Sequence, residues 1–306
     1  MQQKAAQTLT HVLVSGGTHG NEYTGAYLAR QWLNDSSALT RSTFKAHVLF
    51  GNPEAFQINR RYVDHDLNRS FTQSVNSEQA SLIEFKRAAE IQKQLKSQCD
   101  GRYPDVIFDL HSTTSHMGLS LVLAHVNAFN LQLYAFLRTR FPRLNAYVWH
   151  DPQAKPGFLN SLTENGFAIE VGPVANGVLD ARQILGTNAL VQACLDFVEL
   201  LNSKAQIAIA DSVPLYRFIK HVDYPRSADG FPSFFIHPEL QDKDFCELSK
   251  GSPIFMNLKG DVVTWQEDAV WPVFINEAAY YEKGIAFTAT QKTEITSADI
   301  NRMQNL

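Results

Sequence analysis

His19 and Glu22 lie in a glycine-rich turn and are spaced so that both could bind one metal ion. The turn Gly16–Glu22 follows the apolar run His11–Val14 and precedes an amphipathic segment, so it joins a predicted strand to a predicted helix. Zinc accepts imidazole nitrogens and carboxylate oxygens, and a catalytic zinc site has three protein ligands and one open position. The alternative is a solvated surface turn, and this motif alone does not decide between the two.

His111 is the third candidate ligand, at the end of the apolar run that begins at Val106. Ligands of open α/β sheets bind beyond the carboxyl ends of the strands, where the turn with His19 also lies. If the two strands are parallel near neighbours, the candidate ligands can meet. Asp109 points to the same strand face as His111 and could accept its second imidazole N–H. A cap of the strand end is the other explanation for Asp109.

Two more segments carry charged side chains that catalysis could use. The stretch Asn59–Arg69 is rich in Arg, Asp and Asn, and an arginine can bind a carboxylate or stabilise an oxyanion. A solvated loop is the alternative, which we favour for Arg60 and Asp64. Glu170 lies within the apolar segment Phe167–Val171, where burial would raise its pKa toward the range of a general base. A structural ion pair with a buried arginine is the alternative for Glu170.

Strands and helices that would position these residues alternate over the first two thirds of the chain. The predicted strands are Val12–Ser15, His47–Phe50, Val106–Leu110, Leu119–Ala124, Ala146–Trp149 and Ala168–Val171. The predicted helices are Glu22–Leu33, Ser77–Leu95, Ala128–Arg140 and Ala181–Leu201. We interpret the charges of Glu84–Lys96 as a solvated helix face. Several strands are apolar throughout, as in sheets covered on both faces, and the alternation predicts an α/β domain with a mostly parallel or mixed sheet.

The pattern changes after about Lys204. From Gln206 onward, short β-type runs are separated by Pro, Gly and Asp, and no long helical pattern occurs. We therefore predict an α/β domain over residues 1–204, with helices on both faces of a mixed sheet. Residues 205–306 are predicted to form a smaller, mostly β domain.

Composition and charge narrow the class of protein. The chain has 306 residues, 44% of them hydrophobic, and a net charge of −4, which gives no reason to expect nucleic-acid or membrane binding. No apolar run approaches the roughly 20 residues that span a bilayer, and we expect no secretory signal. The three cysteines form no C-x-x-C pair, so the sequence suggests neither a disulfide framework nor a cysteine zinc site. A reducing, cytoplasmic setting is the simplest interpretation.

Five sequence blocks, in this order, resemble the aspartoacylase/succinylglutamate desuccinylase family. The blocks are His19–Glu22, Arg61–Arg69, Asp109–Ser115, Ile169–Pro173 and Asn276–Lys283. The resemblance covers nearly the whole chain, and the third and fifth blocks are most similar to the aspartoacylase branch. The family resembles zinc carboxypeptidases in its N-terminal domain and adds a C-terminal β domain, which implies that the second domain caps the active site.

The resemblance also implies site roles. The implied ligands of one Zn²⁺ per chain are His19, Glu22 and His111. Glu170 would be the catalytic carboxylate, and Arg61 would stabilise the tetrahedral oxyanion. The substrate's carboxylate groups would be held by Asn68 and Arg69, and Tyr280 would line the pocket from the C-terminal domain.

One position departs from the family pattern. Aspartoacylases of the family place a substrate-binding arginine ten residues before the catalytic glutamate, and this chain has Asn160 there. Asn160 can hydrogen-bond a carboxylate but cannot neutralise it. A nearby family tyrosine is replaced by Pro156 if no gap intervenes, and Lys155 could substitute for the missing cation if the loop is shifted. Specificity for a dicarboxylic amino acid is therefore open.

The function that the resemblance implies, and that these residues fit, is deacylation of an N-acyl amino acid by a zinc-dependent amidohydrolase. N-acetyl-L-aspartate is the first candidate substrate, with acetate and L-aspartate as products. Glu170 would take a proton from water and pass it to the leaving amine, while Arg61 and zinc stabilise the oxyanion.

Three alternatives remain from the sequence. The first is a deacylase of N-acetylated aromatic amino acids or of succinylglutamate. The second is a zinc carboxypeptidase, which a capping C-terminal domain would oppose because a long peptide needs an open groove. The third is a catalytically inactive binding protein. The expected partner is a small-molecule substrate, and the assembly state is open, with a homodimer as the assembly considered.

Overall fold

The architecture is a large mixed sheet joined to a smaller one. A computed structural model describes residues 8–72, 74–149 and 157–304, so the predictions for Lys155 and Pro156 lie outside the described residues. The strands are β1 His11–Gly16, β2 Lys45–Phe50, β3 Val106–Ser112, β4 Gly118–Leu123, β5 Asn145–Val148, β6 Gly166–Gly172, β7 Ser212–Val222, β8 Phe235–Ile236, β9 Pro253–Met256, β10 Val262–Thr264 and β11 Phe287–Thr296. The helices are α1 Tyr23–Asn34, α2 Pro53–Gln57, α3 Ile83–Gln98, α4 Ala128–Arg140, α5 Ala181–Asn202 and α6 Ser297–Gln304.

Most neighbouring strands of the large sheet are parallel. The eight strands lie in the order β11-β7-β5-β4-β6-β3-β1-β2. Strand β1 pairs in parallel with both β2 and β3, and β3 pairs in parallel with β6. The antiparallel pairs are β4 with β6 and β7 with β11. The carboxyl ends of β1, β3 and β6 therefore meet at one edge, where ligands of such sheets bind.

Helices cover both faces of this sheet, as the alternation of side chains along β1 shows. Val12 and Val14 lie in one core cluster with residues of α1, α4 and α5. Leu13 points to the opposite face and lies in a cluster with Ile91 and Leu95 of α3. The strands at the centre are mostly apolar because both faces exclude water. The predicted fold class is confirmed by this arrangement together with the smaller C-terminal β unit.

Helix α3 begins later than the sequence pattern predicted. The prediction placed its start at Ser77, but residues Gln79–Ser81 form a separate 3₁₀ turn and Leu82 is extended, with φ −73° and ψ 148°. The regular helix therefore starts at Ile83.

Helix α5 is long and apolar enough, by length and composition alone, to cross a membrane. Its buried residues are Thr187, Leu190, Val191, Ala193, Cys194, Leu195, Phe197 and Val198. Because most of them pack in the same core cluster as α1 and α4, α5 has the position of a core helix in this fold.

Residues beyond 204 contribute to two sheets. Strands β8, β9 and β10 form a small antiparallel sheet, whose core cluster includes Phe255 and Trp265. Strands β7 and β11 extend the large sheet, with β7 parallel to β5. We keep the domain boundary near residue 204 as a proposal, since the large sheet continues past it.

Candidate metal centre and adjoining pocket

The three predicted ligands lie together at the carboxyl edge of the sheet. His19 Nδ1 lies 2.6 Å from Glu22 Oε1, and His111 Nδ1 lies 3.0 Å from Glu22 Oε2 and 3.2 Å from His19 Nδ1. All three side chains are buried, so the solvated-turn alternative is wrong. Their meeting follows from the register, because β1 and β3 are parallel and Gly16 pairs with Leu110.

Two glycines allow the turn to approach its neighbours. A Cβ at Gly16 would lie 2.1 Å from the carbonyl oxygen of Gly25 in α1, which no side chain could tolerate. Gly17 has φ +71°, a conformation that glycine adopts without strain. These positions let the chain reverse directly after β1 and deliver His19 to the sheet edge.

Two further carboxylates fix the orientation of the histidines. His19 Nε2 lies 2.9 Å from Asp66 Oδ1, and His111 Nε2 lies 2.8 Å from Asp109 Oδ2. An ionised carboxylate only accepts hydrogen bonds, so Asp66 and Asp109 hold a proton on each Nε2 and leave each Nδ1, which faces Glu22, as the nitrogen that a metal ion could take. Asp109 also accepts a hydrogen bond from the Thr18 hydroxyl at 2.8 Å, which fits the outer-partner interpretation and not a strand cap.

The charged groups of the ligand cluster shift one another's pKa values. Burial raises the pKa of Glu22, but the charges and hydrogen bonds of His19 and His111 lower it below its usual value. Burial likewise opposes the charged form of His111, yet Asp109 and Glu22 raise its pKa well above the usual value. Two imidazole nitrogens and a carboxylate oxygen, all within 4.8 Å of one another, form a donor set that fits zinc.

Glu170 lies beside His111 on the neighbouring strand. The two residues pair in the parallel register of β3 and β6, and both line one cavity. Burial and the charges of Glu22 and Glu277 raise the pKa of Glu170 to about 8, against the opposing charges of His111 and Arg61. Among the described residues Glu170 forms no ion pair, because Arg61 binds Glu22 and Asp66 instead. The ion-pair alternative for Glu170 is therefore not supported.

Arg61 is held at the cavity by two carboxylates. Its Nη1 donates to Glu22 Oε1 at 3.2 Å, and its Nε and Nη2 donate to Asp66 Oδ2 at 3.3 and 3.2 Å. Asp66 therefore contacts both a candidate ligand and Arg61. The sequence shows that Asp66 is acidic but not that it contacts His19 and Arg61, so sequence analysis did not predict this role.

Glu84 supports the segment that carries Arg61. Its carboxylate accepts the backbone N–H groups of Val63, Asp64 and His65 at 2.7, 3.0 and 3.0 Å. The interpretation of Glu84–Lys96 as a solvated face is wrong at Glu84, which has 0% exposure, because this side chain faces the loop and not water. Asp64 is exposed, as expected, and accepts from the Ile83 N–H at 2.9 Å.

All the predicted substrate-binding residues line the same cavity, which has a volume of about 530 Å³ including its open mouth. Asn68 accepts the Leu159 N–H at 2.9 Å, which places the following residue, Asn160, in the wall. The Arg69 guanidinium lies over the Phe158 ring at 4.6 Å from its centroid. Tyr280 reaches the cavity from the 3₁₀ helix Ala278–Lys283.

Much of the remaining wall is apolar and aromatic. These lining residues are Val122, Ala124, Tyr147, Trp149, Phe158, Ala168 and Phe274. Trp149 and Phe158 pack edge to face, with ring centroids 4.5 Å apart. Among the described wall residues the cations are Arg61 and Arg69 and the two histidines if protonated.

Glu277 connects the C-terminal segment to the end of β3. Its Oε2 accepts the Thr114 N–H and hydroxyl at 2.8 and 3.0 Å, and it also accepts the Thr113 hydroxyl. The Ser115 hydroxyl donates to the Ile275 carbonyl at 3.0 Å. These bonds fix the chain just before Tyr280 against the strand that carries His111. The sequence placed both segments in separate blocks and gave no signal that they meet.

Comparison with known proteins identifies the family that both parts of the chain match. Residues 8–198 match the family described as "Succinylglutamate desuccinylase/Aspartoacylase catalytic domain", and residues 211–292 match the "AstE/AspA barrel-sandwich hybrid domain". A "Probable aspartoacylase" of Trichodesmium erythraeum is 41% identical over 94% of this chain and 98% of its own. The Homo sapiens "N-acyl-aromatic-L-amino acid amidohydrolase (carboxylate-forming)" is 40% identical over 95% and 93%. The crystal structure of murine aminoacylase 3 superposes with a TM-score of 0.89, at 38% identity over 95% and 98% of the chains.

Proposed function

Because this chain belongs to the succinylglutamate desuccinylase/aspartoacylase family, we propose that it is a zinc-dependent amidohydrolase that deacylates N-acyl amino acids. One observation carries the proposal. His19, Glu22 and His111 converge on one point, and Glu170 and Arg61 line the same cavity. Relatives named as amidohydrolases support the hydrolase class, and the donor set supports one zinc ion at this point.

The chemistry follows from these positions. When bound by His19, Glu22 and His111, zinc would polarise the scissile carbonyl and acidify water. Glu170 takes the proton of the attacking water, a task suited to a carboxylate whose pKa lies near neutrality. The guanidinium of Arg61, held by Glu22 and Asp66, stabilises the developing oxyanion. Glu170 then delivers its proton to the leaving amine.

The carboxylate groups of the substrate must find donors in the wall. Arg61 already pairs with two carboxylates, which leaves Arg69 and Asn68 for the α-carboxylate. The side-chain oxygen of Asn68 accepts the Leu159 N–H, so Asn68 would offer its amide nitrogen, which lies 3.3 Å from His111 Nε2. The side chain of the substrate would then meet Asn160 and the aromatic wall.

This wall favours a substrate with an apolar or aromatic side chain over N-acetyl-L-aspartate. A second carboxylate would meet the neutral Asn160, and charge-assisted hydrogen bonds are roughly twice as strong as neutral ones. Trp149, Phe158 and Phe274 offer aromatic contact area instead. We therefore propose N-acyl aromatic amino acids as the better substrates and keep N-acetyl-L-aspartate and succinylglutamate as competitors.

Zinc-loaded protein should be assayed with matched substrates: N-acetyl-L-phenylalanine, N-acetyl-L-aspartate, N-succinyl-L-glutamate and a short peptide. We expect the highest kcat/KM for N-acetyl-L-phenylalanine and measurable turnover of the aspartate. Cleavage of the peptide alone would instead identify a carboxypeptidase. A higher kcat/KM for N-acetyl-L-aspartate than for N-acetyl-L-phenylalanine would overturn the proposed preference for aromatic side chains but would still identify a deacylase.

Metal content tests the ligands separately. His111→Ala should lose zinc and activity together, because one of three protein ligands is removed. His125→Ala, at a histidine outside the cluster, is the control and should keep both. Full zinc occupancy with unchanged activity in His111→Ala would contradict the assignment.

We further propose a cytoplasmic location and a small-molecule substrate as the partner, without nucleic acid or membrane. The free cysteines Cys99, Cys194 and Cys246 support a reducing compartment. A homodimer is the assembly to test first.

A further inference from the structure

A second cluster of ligand-type side chains lies at the opposite edge of the sheet from the zinc site. His11 is the first residue of β1, and His47 is the third residue of β2, whose register pairs it with Leu13. Residues His11 and Leu13 point to one face of β1, and His47 points to that face from β2. Helix α3 covers this face and ends at Gln98, and Cys99 is the C-cap residue that follows it.

The three side chains converge on one point. His11 Nδ1 lies 2.9 Å from His47 Nε2, and Cys99 Sγ lies 3.7 Å from the same His47 nitrogen. One ligand-type atom from each of the three residues lies within 4.8 Å of the others. The residues are 8%, 7% and 0% exposed, so the cluster is shielded from bulk solvent.

These separations are close to those around a tetrahedral ion. Zn–N bonds of about 2.0–2.1 Å and Zn–S bonds of about 2.3 Å place neighbouring nitrogens roughly 3.4 Å apart, and nitrogen and sulfur roughly 3.5 Å apart. The distance of 3.7 Å between Cys99 Sγ and His47 Nε2 is close to the second value. The distance of 2.9 Å between His11 Nδ1 and His47 Nε2 is shorter than the first value and would increase slightly when an ion binds.

Asp100 orients the first of these histidines. Its exposed Oδ2 lies 3.2 Å from His11 Nε2, where it can accept a hydrogen bond from the Nε2 proton and leave Nδ1 as the nitrogen facing the cluster. The backbone N–H of His11 donates to Asp105 at 2.9 Å, which fixes the start of β1. The same device, a carboxylate on the outer imidazole nitrogen, orients His19 and His111 in the zinc site.

We propose that His11 Nδ1, His47 Nε2 and Cys99 Sγ bind a second metal ion of the zinc class, with water as the fourth ligand. The Cys99 thiol gives up its proton when the ion binds, since the thiolate is the ligand. The ion would join the end of α3 to β1 and β2. Glu84 lies at the other end of α3, where its carboxylate accepts backbone N–H groups of the segment that carries Arg61. The second ion would therefore stabilise the helix that supports the proposed active site.

Cobalt(II) substitution tests the proposal, because thiolate ligands give Co²⁺ an intense near-ultraviolet charge-transfer band. The active-site cluster of His19, Glu22 and His111 contains no sulfur, so such a band reports on the second site alone. We expect two Co²⁺ ions per chain with the band present. Cys99→Ser should lose the band and one ion and keep the other.

Matched variants separate this site from other thiols and from the zinc site. Cys194→Ser, at a buried cysteine in α5, and Cys246→Ser, at an exposed one, should keep both the band and the stoichiometry. His111→Ala should lose one ion and keep the band, so failure of the zinc proposal and of this one give different results. A wild-type protein with no thiolate band, or a band that survives Cys99→Ser, would overturn the proposal even if a variant fails to fold.

Discussion

Asp66 and Asp109 decide which nitrogen of each active-site histidine is available for a ligand. Each carboxylate holds the Nε2 proton of its histidine, at 2.9 Å for His19 and 2.8 Å for His111, so the Nδ1 atoms, which face Glu22, are the nitrogens left for a metal ion. Such outer partners fix the ring orientation and raise the basicity of the ligand. At this scale, the proposed metal site depends on buried carboxylates that orient the two imidazole rings.

Replacing Glu170 by glutamine should remove the general base and leave the zinc ligands intact. The variant keeps the size and hydrogen bonding of the side chain, so we expect unchanged zinc content and kcat reduced by at least roughly 10²-fold. Steady-state kinetics with parallel metal analysis measures both. Glu239→Gln, at an exposed glutamate, is the control, and near-normal turnover of Glu170→Gln would assign the base to another group.

Asn160→Arg should shift substrate preference toward a dicarboxylic substrate. Asn160 is 3% exposed and lines the cavity, so an arginine there could neutralise a side-chain carboxylate that the amide only hydrogen-bonds. We expect kcat/KM for N-acetyl-L-aspartate to rise relative to N-acetyl-L-phenylalanine, mainly through KM. Asn165→Arg, outside the cavity, is the control. An unchanged ratio would mean that Asn160 does not face the substrate side chain.

Among the secondary-structure elements, α3 and the end of β3 act as supports for loops. Glu84 in the first turn of α3 accepts three successive backbone N–H groups of the segment that carries Arg61. Glu277 binds the residues that follow β3 and thereby seats the C-terminal segment at the cavity. Both carboxylates are buried, so each loop is fixed by a charge that water does not screen.

Glu277→Gln should loosen the C-terminal segment without removing metal. Hydrogen bonds to a charged group are worth about 1.5–3 kcal/mol, so we expect the free energy of unfolding to fall by about that amount. Because Tyr280 follows three residues later, kcat/KM should fall as well. We would measure urea unfolding, steady-state kinetics and metal content of Glu277→Gln. The control is Glu267→Gln, at an exposed position, which should change none of the three. Equal stability and activity of both variants would show that Glu277 does not anchor the segment.

In the whole molecule, the cavity that we propose to be catalytic forms where the large sheet meets the C-terminal segment. The ligands come from the turn after β1 and from the end of β3, Glu170 from β6, and Phe274 and Tyr280 from beyond β10. Asp244 lies at this junction, where its Oδ1 accepts the Ile275 N–H at 3.0 Å and its Oδ2 is buried without a partner among the described residues.

Asp244 should make stability depend on pH. Burial raises its pKa from 3.8 to about 7, although hydrogen bonds from backbone groups, Ile275 first, oppose the shift. Between those pH values the unfolded chain loses a proton that the folded chain keeps, so the contribution of Asp244 to stability is complete below about pH 4 and is lost as pH rises through about 7.

Asp244→Asn removes this titration. We expect the variant to gain stability relative to the native chain as pH rises from 4.5 to 7.5, measured by urea unfolding. Asp268→Asn, at an exposed position, should show no such trend. A constant difference between Asp244→Asn and the native chain at all pH values would mean that Asp244 titrates normally.

The sequence by itself determined the local features of this protein. Apolar periodicity identified six strands of the large sheet and its main helices, and the fold class is confirmed. The H-x-x-E turn and the strand-end His111 predicted a zinc site, because ligand types and their position after strands are encoded locally. The structure brings these residues together with Glu170 and Arg61, and their catalytic roles stay proposals.

The tertiary structure decided which distant groups face one another. Periodicity shows the face on which a side chain lies but not what covers that face, so Glu84 looked solvated although a loop buries it. For the same reason, the partners of Asp66 and Glu277 had no signal in the sequence. The addition of β7 and β11 to the large sheet depends on pairing across the chain, and so does the meeting of His11, His47 and Cys99.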